Sequence, residues 1–226
     1  MATMILANIA GHMYQFLLPL YVQSLGANIS QVGLFFTVGA IAPLAFQILG
    51  GWLSDSIGRL QAIAIGSLAG AAGYIVFLVA PSWHWLLLST VAGAMARAFV
   101  APSYQAFIAE QSTEETRGQV YGLAEGLFMV VGVVGPPLGG YVSEHYGYKV
   151  MFAAAGLLYT VATIIRLFMA RSAHRAEKET AKHRERPSLA GLKNSLLALA
   201  ALITAGGIVT WIMISDGVRD VSYRLA

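Results

Sequence analysis

Gly50-Gly51-Trp52-Leu53-Ser54-Asp55-Ser56-Ile57-Gly58-Arg59 is the stretch whose reading decides the fold. A long apolar run ends at Leu53 and another begins at Leu60. Only about six residues lie between them. Two apolar helices joined by so short a turn are antiparallel neighbours. The turn holds one acid, Asp55, and one base, Arg59, at helical i,i+4 spacing. Gly51 and Gly58 are expected to let backbones approach closely there.

The rest of the chain is built for a bilayer. Of 226 residues, 57% are hydrophobic and 11% charged, where a soluble domain carries about 25% charged. Mean hydropathy is +0.66. A soluble protein is excluded, and with it a nucleic-acid binder. There is no cysteine, hence no disulfide framework and no thiolate chemistry. No His-Glu-x-x-His and no serine–histidine constellation is present, so no enzyme, metal site or cofactor is expected. Met1 leads almost directly into Ile5-Leu6-Ala7 without a basic segment, so the first helix is read as a retained span.

A hydrocarbon core of about 30 Å takes roughly 20 apolar residues per helix. Seven stretches qualify: residues 3–25, 31–53, 60–80, 85–109, 118–142, 149–170 and 192–214. The expected organisation is a six-helix domain over 1–170, a basic linker over 171–190, and a seventh helix with its tail over 191–226. Orientation follows from lysine and arginine in short loops. Arg59, Arg117 and the basic linker share one side, while the loops 26–30 and 81–84 carry no lysine or arginine and 144–149 only Lys149. The N-terminus, the Asp55 turn and the linker are therefore expected in the cytoplasm of a multi-pass protein of the cell membrane. Two readings of the linker stand: a solvated connector, or an amphipathic helix on anionic headgroups.

Gly51, Leu53, Asp55, Gly58 and Arg59 resemble the signature turn between helices 2 and 3 of the major facilitator superfamily; Ser56 and Leu60 depart from it. Six helices, a charged linker and a seventh helix resemble that family's layout of two six-helix halves. Gly132, Gly135, Pro136, Gly139 and Gly140, late in the fifth span, resemble its helix-5 motif, which is associated with antiporters. Proline bends a helix, and Gly135 and Gly139 at i,i+4 spacing make a flat face for another helix. The stretch from Glu110 to Arg117-Gly118 resembles the family's 4–5 loop. By that resemblance Glu110 would meet Arg59, and with Arg117 they would form a latch that breaks as the protein changes access. Exposed charge pairs of small energetic weight are the alternative.

Three groups of polar residues lie inside the spans, and a fourth lies in the tail. Arg97 resembles the arginine of the family's helix-4 motif, and a cation there faces a cavity or a partner. Thr90 and Tyr104, seven residues to either side, share its face. Asn8, His12 and Gln15 make a polar stripe on the first helix. The family's antiporters often carry an acid on that helix and this chain does not; His12 titrates in its stead or is a structural histidine. Glu125 is the one carboxylate well inside the first six spans, with a proton-carrying or a structural role. In the tail, Asp216, Arg219, Asp220 and Arg224 fall at i,i+3/i+4 spacings; if the seventh helix extends to Leu225 they make one charged face, either at a cavity or as surface pairs.

What the resemblance implies is an all-α membrane protein: the first half of a secondary transporter with its seventh helix. The function to expect is proton-coupled, alternating-access efflux of small, drug-like molecules by a truncated or half-length chain. Its partners would be the bilayer, a small-molecule substrate, protons and a second half. The competing class is a non-transporting scaffold or a half that assembles with another chain.

Overall fold

A computed structural model describes residues 1–180, with side chains described outside positions 44, 45 and 173–180. The expected seventh helix lies outside the described residues. Seven helices run in order: α1 (Ala2–Gln15), α2 (Leu18–Ser24), α3 (Ile29–Ile57), α4 (Arg59–Val79), α5 (Trp83–Gln111), α6 (Glu114–Tyr146) and α7 (Tyr148–Thr180). Five are long and apolar enough to cross a membrane, and six spans result if α1 and α2 count as one broken span. Among the described residues there is no strand.

The first expected helix, 3–25, is two helices bent by 53° at Phe16–Leu17. Pro19 is the cause. It has no N–H for the carbonyl of Gln15, and its ring crowds that turn. At the other end of the bundle, α7 runs past 170 to Thr180, so the first residues of the expected linker are helical.

Connections are as short as the sequence implies. Gly58 alone separates α3 from α4, at φ 107°. Gly147 alone separates α6 from α7, at φ 83°. Only glycine adopts such backbone cheaply. Asn28 and Gln31 cap α3 reciprocally, as Thr113 and Thr116 cap α6.

The packing repeats. α3 lies on α5, and α6 lies on α1. α4 packs on α5 and on α7, and α7 packs on α1. The sequence carries the same repeat: Gly50-Gly51-Trp52-Leu53-Ser54-Asp55-Ser56-Ile57-Gly58 returns as Gly139-Gly140-Tyr141-Val142-Ser143-Glu144-His145-Tyr146-Gly147. The leading glycines do the same job. A Cβ on Gly50 would lie 2.1 Å from the Ala98 carbonyl oxygen of α5. A Cβ on Gly139 would lie 1.7 Å from the Met13 carbonyl oxygen of α1. In a bilayer, where lipid competes for apolar surface, such backbone approach is a main source of helix association. On α5 the contact also uses a free acceptor: Pro102 removes the donor that would bond Ala98.

Gly51 is therefore corrected. A Cβ there meets nothing within 4 Å, and the close approach belongs to Gly50.

Between the paired helices lies an aromatic core. Phe77 of α4 and Phe152 of α7 stack at 4.4 Å, with Tyr14 and Tyr21 against Phe152 at 5.4 and 4.7 Å. Tyr21 donates to the Phe77 carbonyl at 2.8 Å. This plug holds α1, α2, α4 and α7 together at one end of the bundle.

Candidate functional site

α1 packs on α6 and α7, whereas α5 packs chiefly on α3 and α4. The space between α1 and α5 is left as a cavity of about 610 Å³, backed by Gly70, Gly73 and Tyr74 of α4 and Tyr159 of α7. Asn8, His12 and Gln15 line its α1 side. Thr90 and Arg97 line its α5 side. Phe35 and Phe36 of α3 flank it.

Arg97 stands midway along α5, about 21 Å from either end at 1.5 Å per residue. It is exposed to the cavity, with Nη1 lying over Gly93. Among the described residues its guanidinium has no hydrogen-bond partner. His12 is held from behind by α6: a Cβ on Gly135 would come within 2.5 Å of His12 Cβ. Its Nδ1 is buried and unpartnered. Asn8 donates to the Met4 carbonyl at 2.8 Å, which leaves its amide oxygen for other partners.

Two expected members are not brought to this cavity. Tyr104 was expected on the face of Arg97. Instead it is 9% exposed and packs with Met4, Ile63, Val100, Ile108 and Ala124, its ring 6.2 Å from Phe128 of α6. Pro102 lies between Arg97 and Tyr104 and interrupts the helical hydrogen bonding that carries one face along the axis. Glu125 was expected deep in its span. Its neighbour Ala124 takes the inward position, and Glu125 is exposed on α6, away from the residues that line the cavity.

A second cation lines the cavity, and the sequence reading passed over it. Arg166 of α7 is 3% exposed. It donates to Ser67 Oγ at 2.7 Å, to the Thr3 carbonyl at 3.0 Å and to Met4 Sδ at 2.9 Å, while Nε has no partner. Lying four residues short of the expected span end at 170, it reads as a base snorkelling to the surface. The signal against that reading was available: Tyr159, Thr163 and Arg166 share one helical face.

The charged turn lies at one end of the bundle. Arg59 pairs with Asp55, donates to Ser54 Oγ at 3.0 Å, and reaches Glu110 Oε1 at 3.0 Å. One guanidinium thus ties the α3–α4 turn to the end of α5. Arg117 joins neither pair; among the described residues its one side-chain hydrogen bond is 3.4 Å to the Ala109 carbonyl. In the glycine motif of α6, Gly135 and Gly139 seat α1, a Cβ on Gly132 would lie 3.9 Å from His12 Cε1, Pro136 lies within the helix, and a Cβ on Gly140 would meet nothing within 4 Å among the described residues.

Charged turn, glycine seat and polar cavity between the first and fourth spans together make the pattern of one transporter family, and the Major Facilitator Superfamily model matches residues 1–223. The chain belongs to the Major Facilitator Superfamily. As a member of that superfamily it is a multi-pass membrane protein of a transporter family, not of an enzyme family. It is 28% identical over 152 residues to the quinolone resistance protein NorA of Staphylococcus aureus (strain COL), covering 67% of this chain and 39% of NorA. It is 28% identical over 152 residues to the multi-drug resistance efflux pump PmrA of Streptococcus pneumoniae serotype 4, covering 66% of this chain and 38% of PmrA. The chain thus spans about two fifths of the length of these relatives. A peptide transporter POT in complex with sulfate shares the fold with a TM-score of 0.69 and 16% identity, over 95% of this chain and 45% of that one. The POT family transporter PepTSo does so at 0.63 and 16%, over 83% and 38%.

Proposed function

We propose that the chain supplies the first half of an efflux transporter for small, drug-like molecules, which works by alternating access and is driven by protons. The observation that carries this reading is the cavity between α1 and α5, with Asn8, His12, Gln15 and an unpartnered Arg97 turned into it. A polar cavity inside an apolar bundle is costly to keep and serves a passing solute. The quinolone and multidrug efflux relatives support the substrate class. Arg59, Asp55 and Glu110 are the latch in this reading, closing one end of the bundle until the helices shift. The lysine and arginine distribution supports placing that end, with the N-terminus, in the cytoplasm. A second six-helix half completes the path.

Two measurements test it. Because the chain has no cysteine, Ala101→Cys on the cavity wall offers a single thiol. Its reaction with a polar maleimide should stop drug efflux from cells that also hold the second half, while the same label at the lipid-facing position Val133→Cys should not. Unimpaired efflux by the labelled Ala101→Cys protein refutes the cavity as the route. Glu125, on the exposed face of α6, is the candidate proton carrier. Glu125→Gln should remove proton-driven flux and keep substrate binding; full proton-driven flux removes it from the mechanism and leaves His12.

A further inference from the structure

The cavity has a sign. Two arginines line it, and among its lining residues there is no aspartate or glutamate. Arg97 has no partner among the described residues. Arg166 has partners, but all are neutral: a hydroxyl, a carbonyl and a thioether. Its charge is therefore uncompensated, and its Nε is left without an acceptor at 3% exposure. Away from water an unmatched cation projects a field that a carboxylate within reach would normally quench.

The internal repeat adds a geometric point. Gly50 seats on the carbonyl of Ala98, and Gly139 on the carbonyl of Met13. The residues just before these carbonyls, Arg97 and His12, therefore hold equivalent positions on α5 and α1, and both line the cavity. The buried Nδ1 of His12 has no partner either. Guanidinium and imidazole flank one space, each with unused hydrogen-bonding capacity. Around them the wall is aromatic: Phe35, Phe36, Tyr14 and Phe77. The volume, about 610 Å³, falls within the roughly 300–1,000 Å³ of drug-sized ligand sites.

We propose that this half of the transporter selects organic anions: its cavity takes an aromatic molecule bearing a carboxylate or similar acid group, with the acid on Arg97 and the ring against the aromatic wall. The planar fork of arginine suits a carboxylate, which accepts two parallel hydrogen bonds from it. A permanently cationic molecule of the same shape meets two like charges and no counter-charge. The proposal rests on the transporter reading and names its substrate class.

Naphthoate, its methyl ester and naphthylmethylammonium share a ring system and differ in charge, and their binding to the purified chain in detergent tests the proposal. Naphthoate should bind best, and Arg97→Gln should weaken it about tenfold or more, the expected loss for a charge-assisted pair. The ester should bind weakly and alike to parent and variant, whereas the ammonium should bind weakest to the parent and better to Arg97→Gln, which removes one of the two like charges. Arg97→Lys, which keeps the charge and loses the fork, should fall between. Arg97 is exposed and makes no hydrogen bond among the described residues, and a monodisperse elution profile checks that its replacement leaves the fold intact. Equal or tighter binding of the ammonium overturns the proposal, as does an unchanged naphthoate affinity in Arg97→Gln. If a carboxylate of the second half is the true partner of Arg97, the completed transporter should lose affinity for all three probes alike in Arg97→Gln, which also overturns it. Flux separates the two readings: naphthoate binding without flux defeats the transporter reading alone, whereas flux of the ammonium in preference to naphthoate defeats the anion selectivity alone.

Discussion

The α3–α4 turn and the α6–α7 turn are the same piece of sequence used twice, at opposite ends of the bundle. Each runs Gly-Gly-aromatic-aliphatic-Ser-acid-x-x-Gly, and each ends in one glycine with positive φ. In both, the final glycine N–H bonds the serine carbonyl, at 3.1 Å from Gly58 to Ser54 and 3.0 Å from Gly147 to Ser143. The difference is the next residue. Arg59 follows the first turn and ties it by charge to Asp55 and to Glu110 of α5. Tyr148 follows the second and ties it by ring contact to Tyr21 of α2, at 5.4 Å. One backbone design thus carries an ionic fastening at one end and an aromatic one at the other. Water entering the first end loosens ions by solvating them. The second is fastened by no ion pair among the described residues and stays closed by apolar burial.

Breaking the feature that the turns share should have the largest effect. Gly139→Val and Gly50→Val each place side-chain atoms inside a neighbouring backbone carbonyl. Overpacking of a closed contact costs about 1–3 kcal/mol or more, so both should elute as aggregate or melt well below the parent in micelles. Gly51→Ala and Gly140→Ala, where nothing lies within 4 Å, should melt as the parent does. If all four variants behave alike, the glycine seats are not what holds these helices.

Next comes the feature in which they differ. Arg59→Ala removes pairs whose acids are 54% and 47% exposed, so its stability cost should stay under about 1 kcal/mol per pair and shrink as salt rises. Tyr148→Ala should cost about 0.5–1.5 kcal/mol beyond the area lost, independent of salt. Thermal melts at low and high salt distinguish them, and equal salt dependence would erase the distinction between the two fastenings. In transport, Arg59→Ala should slow efflux more than its stability cost explains.

The smallest effect belongs to Arg117→Ala. With one long bond to the Ala109 carbonyl, it should change stability by less than about 0.5 kcal/mol. Efflux should match the parent. A loss comparable to that of Arg59→Ala would bring Arg117 into the latch although it forms no ion pair with Glu110 or Asp55 among the described residues.

Composition and hydropathy alone establish a polytopic α-helical membrane protein, because lipid satisfies no backbone polar group and leaves the helix as the solution for apolar runs of this length. The short linkers around Asp55 and Tyr146-Gly147-Tyr148 likewise make antiparallel neighbours, since no other path fits so few residues. The polar stripe Asn8, His12 and Gln15 was legible because spacings of three and four keep residues on one face. Pro19 was passed over, and the span 3–25 was expected unbroken although a proline there removes a helical donor. What depended on tertiary structure is which face meets which neighbour. Periodicity cannot tell Gly50 from Gly51 as the packing glycine, since both sit in one apolar turn and the rotation of α3 against α5 chooses. Nor could it place Tyr104, whose direction is set by how α5 turns beyond Pro102, or Glu125, whose direction is set by the rotation of α6 against its neighbours. Arg166 shows the limit most plainly: along the sequence it is a base near a helix end, and only the approach of Thr3, Met4 and Ser67 from two other helices makes it a buried cation at a cavity.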